Sequence, residues 1–154
     1  MENSNSFIPW KTFETGTFLR VDNVDELIPN NKTATTAAIS ILESIIAAAP
    51  EKRKIQIVKI SVYDLNFFKG AFHKNLRDAI QKIGMKFCPE ETIFELIFHQ
   101  DLPNVRIPTA NNFIFTIEKG GKYIDAKDAC DDSFYEATDV LILELPLPNS
   151  IATK

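Results

Sequence analysis

Two cysteines, two histidines and 21 acidic side chains are the raw material for catalysis in this chain of 154 residues. A nucleophilic thiol needs a base within hydrogen-bond reach and a third group that orients the base. Cys130, His99 and Asp101 are residue types that fill those roles, and Cys88 with His73 is the other pairing. No family signature surrounds either cysteine. Cys88 lies between Phe87 and Pro89, the setting of a turn at the edge of a core. Cys130 falls on the apolar side of a helical pattern, where a thiol behaves as a small hydrophobe. Asp125, Asp128, Asp131 and Asp132 crowd the same stretch and would surround a thiolate with negative charge.

Glu95, within Ile93-Phe94-Glu95-Leu96-Ile97, is the acid whose neighbours most suggest desolvation. Differences in environment are what separate the acid from the base in a working carboxylate pair. Read as a strand, the segment puts Glu95 on one face with Ile93, Ile97 and His99. An enzyme built on this chain would therefore assemble its site from scattered residues, with His99, Asp101, Glu95 and Cys130 as candidates.

Metal and nucleotide chemistry have less to stand on. The histidines form no HExxH or HxH pattern, and the cysteines form no CxxC. Counted as a calcium loop from Asp125, the third, fifth and sixth positions are Lys127, Ala129 and Cys130, where oxygen ligands and a glycine are required. Five glycines leave neither GxGxxG nor GxxxxGK[ST] anywhere. No cofactor is expected.

Charge is unevenly distributed. Residues 1–50 carry a net −3, residues 51–87 a net +6 and residues 88–154 a net −7. Lys69, Lys74, Arg77 and Lys82 are expected along the outer side of one helix, with His73 beside them. Asp125, Asp128 and Asp132, at helical spacing, are expected along the face of another. Such asymmetry hints at nucleic acid, but a pI near 5.2 and the lack of an RNP-type aromatic motif oppose it. Among twelve phenylalanines, Phe67 falls outside the helical period, and Trp10 with Phe13 lies outside every periodic segment. These are candidates for an exposed docking patch.

The elements that would position these groups can be read from periodicity. Residues 1–15 read as an irregular segment packed on the domain, and Thr17 to Val21 as a short strand. Thr33 or Thr35 is placed to cap a helix that runs to Ala49 and stops at Pro50. That helix is apolar over most of its circumference, so it is expected to be buried on several sides or shared with a second copy in a homodimer. Ile55 to Tyr63 alternates as a strand. Phe68, Phe72, Leu76, Ala79, Ile80 and Ile83 recur at helical spacing, with Gly84 as the cap. Thr92 to His99 leans towards strand, although Pro89-Glu90-Glu91 resembles a helix start. Asp101 to Asn112 reads as a loop, and residues 112–124 as a hairpin. Asp125 to Ala137 reads as a helix, and Val140 to Leu145 as a closing strand.

Together these predict one compact α+β domain over residues 1–154. It would be a two-layer sandwich with a ferredoxin-like βαββαβ order from residue 55 and an extra strand and helix in front. No apolar stretch is long enough to span a membrane, and Met1 to Ser6 carries no secretory pattern, so a soluble cytoplasmic protein with reduced thiols is expected. The functional expectation is recognition of another protein through segregated charged faces. Lys69, Lys74, Arg77 and Lys82 would meet an acidic partner, and Asp125, Asp128 and Asp132 a basic one, with Trp10 as an aromatic contact. The alternatives are the scattered-residue enzyme and nucleic-acid binding through the basic helix.

Overall fold

Between Ile55 and Val62 the chain buries side chains on both of its faces, Ile55 and Ile57 on one and Val58, Ile60 and Val62 on the other, and the rest of the fold is arranged around it. In this computed structural model, residues 9–15, 33–48, 53–96, 104–119 and 122–146 are described. Their elements are β1 (Lys11–Thr15), β2 (Thr33–Ala34), α1 (Thr36–Ala48), β3 (Arg53–Ser61), β4 (Ala71–Phe72), α2 (His73–Lys82) and α3 (Thr92–Leu96). β5 (Val105–Pro108), β6 (Phe113–Glu118), β7 (Tyr123–Asp128), β8 (Phe134–Tyr135) and β9 (Val140–Leu145) follow. Seven strands form one sheet in the order β1-β3-β9-β5-β6-β7-β2, and β4 pairs with β8 in a separate two-stranded ladder. Neighbours in the sheet are antiparallel except β5 with β9 and β2 with β7.

Strand alternation divides the core in two. On the first face, Ile55, Ile57, Ile107, Phe115, Ile124 and Ile142 pack beneath α1 and α3. On the second face, Val58, Ile60, Leu141 and Leu143 pack beneath Leu76 and Ile80 of α2 and beside Tyr135. The expected α+β class holds, with helix packed on sheet. The βαββαβ order does not hold, because two of its elements change type.

Residues 125–128, expected to open a helix, instead continue the hairpin strand as the remainder of β7. Six registered pairs with β6, from Phe113 opposite Asp128 to Glu118 opposite Tyr123, override the local helical pattern. Asp131, Asp132 and Ser133, residues that favour turns, then reverse the chain, with the Ser133 amide donating to the Cys130 carbonyl at 2.9 Å. Conversely, Thr92–Leu96 is helix rather than strand. The Thr92 and Ile93 amides bond back to the Pro89 and Glu90 carbonyls at 3.0 and 3.1 Å, and Ile93 and Leu96 are buried three residues apart.

Part of the expected loop is also strand. β5 is only four residues long, and Pro108 stands last, where its missing N–H breaks no inner ladder bond. At the other end, β1 occupies residues expected to be irregular and forms a sheet edge against β3. The expected strand at Thr17 to Val21 lies outside the described residues.

Other elements follow the pattern. Thr35 caps α1, its Oγ1 accepting the Ala38 N–H at 3.1 Å. α1 buries one face, Ala38, Leu42 and Ile45, with Ile39, Ile41 and Ile46 half-buried at its flanks. Gly84 (φ +87°) closes α2, where its amide and that of Met85 reach the carbonyls of Gln81 and Ile80 at 3.2 and 2.9 Å. α2 begins at His73, later than the helical spacing from Phe68 predicts. Gly70 (φ +95°) interrupts the pattern, and a Cβ there would come within 2.4 Å of the Phe134 ring and 2.6 Å of the Tyr135 carbonyl oxygen.

Glycine is thus required twice at Gly70, for its backbone angle and for its space, and only once at Gly84, where nothing stands within 4 Å of an added Cβ. Gly84→Ala should cost about 1 kcal/mol in urea unfolding, the penalty of the backbone angle alone. Gly70→Ala should cost more, about 2–3 kcal/mol, because the β4–β8 ladder must also shift. Equal losses would show that the contact with Phe134 carries no weight.

Candidate functional site

The stretch after β3 turns sharply. A single 3₁₀ turn (Tyr63–Leu65) ends at Asn66 in the left-handed region, and the chain returns through Gly70 into β4. Phe72 of β4 then sits opposite Phe134 of β8. This geometry turns aromatic rings outward. Among the described residues, the exposed large hydrophobic side chains are Tyr63, Phe68, Phe72 and Phe134, each with 40–60% of its surface open. Tyr63 and Phe68 meet edge to face at 4.9 Å, and Phe72 and Phe134 do the same at 5.3 Å. Phe134 also covers Gly70, two residues from both Phe68 and Phe72 in the chain, so both pairs border the same turn, an aromatic corner of the molecule.

Two residues hold the corner from below. The Arg106 guanidinium lies over the Tyr135 ring, 4.7 Å from its centre. It donates to the Phe134 carbonyl at 2.9 Å and pairs with Asp139 at 3.3 Å. His73 Nδ1 lies 2.8 Å from the Tyr135 hydroxyl, and both side chains are buried. Burial, with the Arg77 charge adding to it, holds the His73 imidazole below its ordinary pKa. Burial also pushes the Tyr135 hydroxyl well above its own.

Beside the corner, an open groove of about 860 Å³ runs over the second face of β5 to β7, floored by Arg106, Thr116, Asp125 and Lys127 and walled by Phe134 and Asp139. Its volume suits a small molecule, but such sites are mostly apolar with a few convergent polar groups. Much of the charge here is already engaged. Arg106 is held as above, and Asp125 accepts from Thr35 Oγ1 at 2.7 Å and from the Ala126 amide at 2.8 Å.

The sequence candidates are dispersed. Cys130 is exposed in the turn before β8, with its thiol 3.0 Å from Asp132 Oδ1 and 3.5 Å from Ser133 Oγ. Its expected place on the apolar side of a helix is lost with that helix. His99 and Asp101 lie outside the described residues. Glu95 falls in α3, so it does not share a strand face with Ile93. Cys88 is buried on the first face, and burial drives its thiol far above the ordinary value. His73 instead packs against Phe87 and Tyr135 of the second-face core. No three His, Cys, Asp or Glu side chains gather as a metal-holding group among the described residues.

The charged candidates are also rearranged. Lys69, Lys74 and Lys82 are exposed, Lys69 between Phe68 and Gly70 and Lys74 in the first turn of α2. Arg77 pairs with Asp131 at 3.4 Å, and the Lys74 amide donates to the Asp131 carbonyl, so the basic helix touches the acidic turn. Asp125 and Asp128 stand three apart on a strand and face opposite ways, which removes the expected acidic stripe with Asp132. Trp10 is half-buried against the first-face core, its ring under the ammonium groups of Lys11 and Lys59 at 4.9 and 4.8 Å.

Helical periodicity groups Phe68 and Phe72 with the apolar stripe and leaves Phe67 as the odd ring, yet Phe68 and Phe72 are exposed. Phe67 in fact packs against the second-face core. The signal that would have corrected this was Gly70, standing inside the helical pattern between Phe68 and Phe72. Comparison with protein-family models, curated proteins and solved structures finds no match to this chain. The corner is therefore read from its own geometry.

The two thiols should react very differently. A disulfide reagent at neutral pH should modify Cys130 promptly and Cys88 only after unfolding. Rapid modification of both in the native protein would contradict the burial of Cys88.

Proposed function

We propose that this protein works by binding another protein, and that the aromatic corner of Tyr63, Phe68, Phe72 and Phe134 is the docking surface. The observation that carries the reading is the clustering. Exposed apolar side chains are usually scattered singly over a monomer, whereas a contiguous aromatic patch marks an interaction site. Large rings anchor interfaces at low entropic cost and supply their hot spots. Lys69 and Lys74 are exposed beside the rings, as are Asp64, Asp132 and Glu136, so the matching surface is apolar at its centre and carries both signs of charge at its edge. An exposed thiol and a buried thiol, with no disulfide between them, suit a cytoplasmic setting.

The reading is tested by placing a photo-crosslinking amino acid at position 68, 72 or 134 in the cells that make the protein, with exposed Gln81 of α2 as the control. One discrete adduct should form from the corner positions and none from position 81. Phe68→Ser should weaken that capture by about 30-fold or more, the worth of one hot-spot ring. It should leave the melting temperature within about 2 °C, since the ring is mostly outside the core. No adduct from the corner, or the same adducts from position 81, would sink the proposal.

A further inference from the structure

His73 follows Phe72 in the chain and Tyr135 follows Phe134, so a hidden pair lies directly beneath the exposed pair. His73 is only 1% exposed and Tyr135 is fully buried. The imidazole lies between Phe87, at 5.0 Å between ring centres, and Tyr135, at 5.9 Å. Nδ1 has the Tyr135 hydroxyl as its partner, while Nε2 is buried with none.

A neutral ring tolerates this arrangement, since Nε2 is then at worst a single unpaired polar atom. A protonated ring carries N–H on both nitrogens. Nδ1 then donates to the Tyr135 oxygen, but Nε2 becomes a charged donor without an acceptor in an apolar slot, one of the costliest states a buried group can take.

The surrounding charges do not rescue it. Arg77, on the same helix, repels an imidazolium, whereas Asp131, in the turn packed against α2, attracts it but is exposed and engaged by Arg77. From the sheet, the Arg106 charge lies over Tyr135 and is matched by Asp139.

We propose that His73 and Tyr135 form an acid-sensitive latch beneath the aromatic corner, in which protonation of His73 releases β8 from β4 and disperses Phe72 and Phe134. The corner is then assembled at neutral pH and opens more often in acid. As a statement about regulation, this rests on the docking reading of the corner. The closed form binds fewer protons than the open one, because His73 is held below the ordinary imidazole value of 6.5. Closure is therefore fully favoured above that value and is lost as the pH falls from there towards the lowered value of the closed form.

Amide hydrogen exchange on the full chain tests the latch. The His73 and Lys74 amides donate to the carbonyls of Ser133 and Asp131 at 2.7 and 3.2 Å and report on closure. Between about pH 7.5 and about pH 5.5 their protection, corrected for intrinsic rates, should fall about tenfold, the factor by which an ordinary imidazole in the open form takes up its proton. Amides of β3 and β9 should not change. In His73→Gln, which cannot titrate, the fall should vanish.

Should that variant fail to fold, the imidazole nitrogen shifts of the unaltered protein decide. A ring still neutral at about pH 5.5 in the closed form supports the latch. A ring that charges near its ordinary value while the two amides stay protected overturns it. The two proposals fail separately. Acid-induced loss of protection with no adduct from position 68 at neutral pH rejects docking and keeps the latch. Equal adduct yield at both pH values, with unchanged protection, rejects the latch and keeps docking.

Discussion

The register between β3 and β9 is the constraint on which the remaining structure depends. Six pairs, from Gln56 opposite Leu145 to Ser61 opposite Val140, fix which side chains of both strands face which core. A slip of one residue would send Leu141, Leu143 and Leu145 to the first face and strand the second-face core beneath α2. The register does not stop with the strands. The Val62 and Tyr63 amides continue it, donating to the carbonyls of Asp139 and Ala137, both at 2.9 Å. The chain leaving β3 and the chain entering β9 therefore depart from the sheet together. Tyr63 to Phe72 and Phe134 to Asp139 are brought side by side for that reason, and the aromatic corner is the product.

The same strand pair carries a buried charge. Glu144, 5% exposed, meets Arg53 at the start of β3 through two parallel hydrogen bonds of 3.1 Å. That bonding raises the Arg53 pKa above its ordinary value, outweighing the opposing effect of burial. Two planar groups meeting in this way specify orientation as well as attraction. The Glu144 backbone also exchanges both hydrogen bonds with Lys86, at 2.8 and 3.1 Å. Lys86 is thereby fixed at the sheet, and its successors divide: Phe87 goes to the second-face core, where it meets His73, and Cys88 to the first. The Glu144 backbone thus helps to place both the floor of the latch and the unreactive thiol, while its carboxylate holds Arg53.

Segments whose period agreed with their tertiary partners were legible in the sequence. β3, β9, the β6–β7 hairpin as far as Ile124, and a threonine cap on α1 (at Thr33 or Thr35, of which Thr35 serves) follow from residue type and spacing. Misreadings arose where pairing overruled local pattern. Ala126, Ala129 and Cys130 are spaced as on a helix, yet β6 recruits the first of them into a strand, a partner no single-sequence period can reveal. β5 is too short for its alternation to stand out between two prolines. The site was hidden for a related reason. Phe68 and Phe72 fit the apolar stripe of α2, and their exposure follows from Gly70 giving up its side chain to a ring 64 positions away, Phe134.

The corner is also the part of the fold with the least sheet of its own. β4 and β8 pair over two residues each, far short of what holds together unaided in water. Its order comes from what lies below: the His73–Tyr135 contact, the Arg106 clasp on the Phe134 carbonyl, and the close fit over Gly70. Such a unit can open without unfolding the seven-stranded sheet, because none of its ladder bonds belongs to that sheet. Within it the reactive groups already have partners of their own: His73 turns inward to Tyr135, and the Cys130 thiol turns to Asp132 and Ser133 in its own turn.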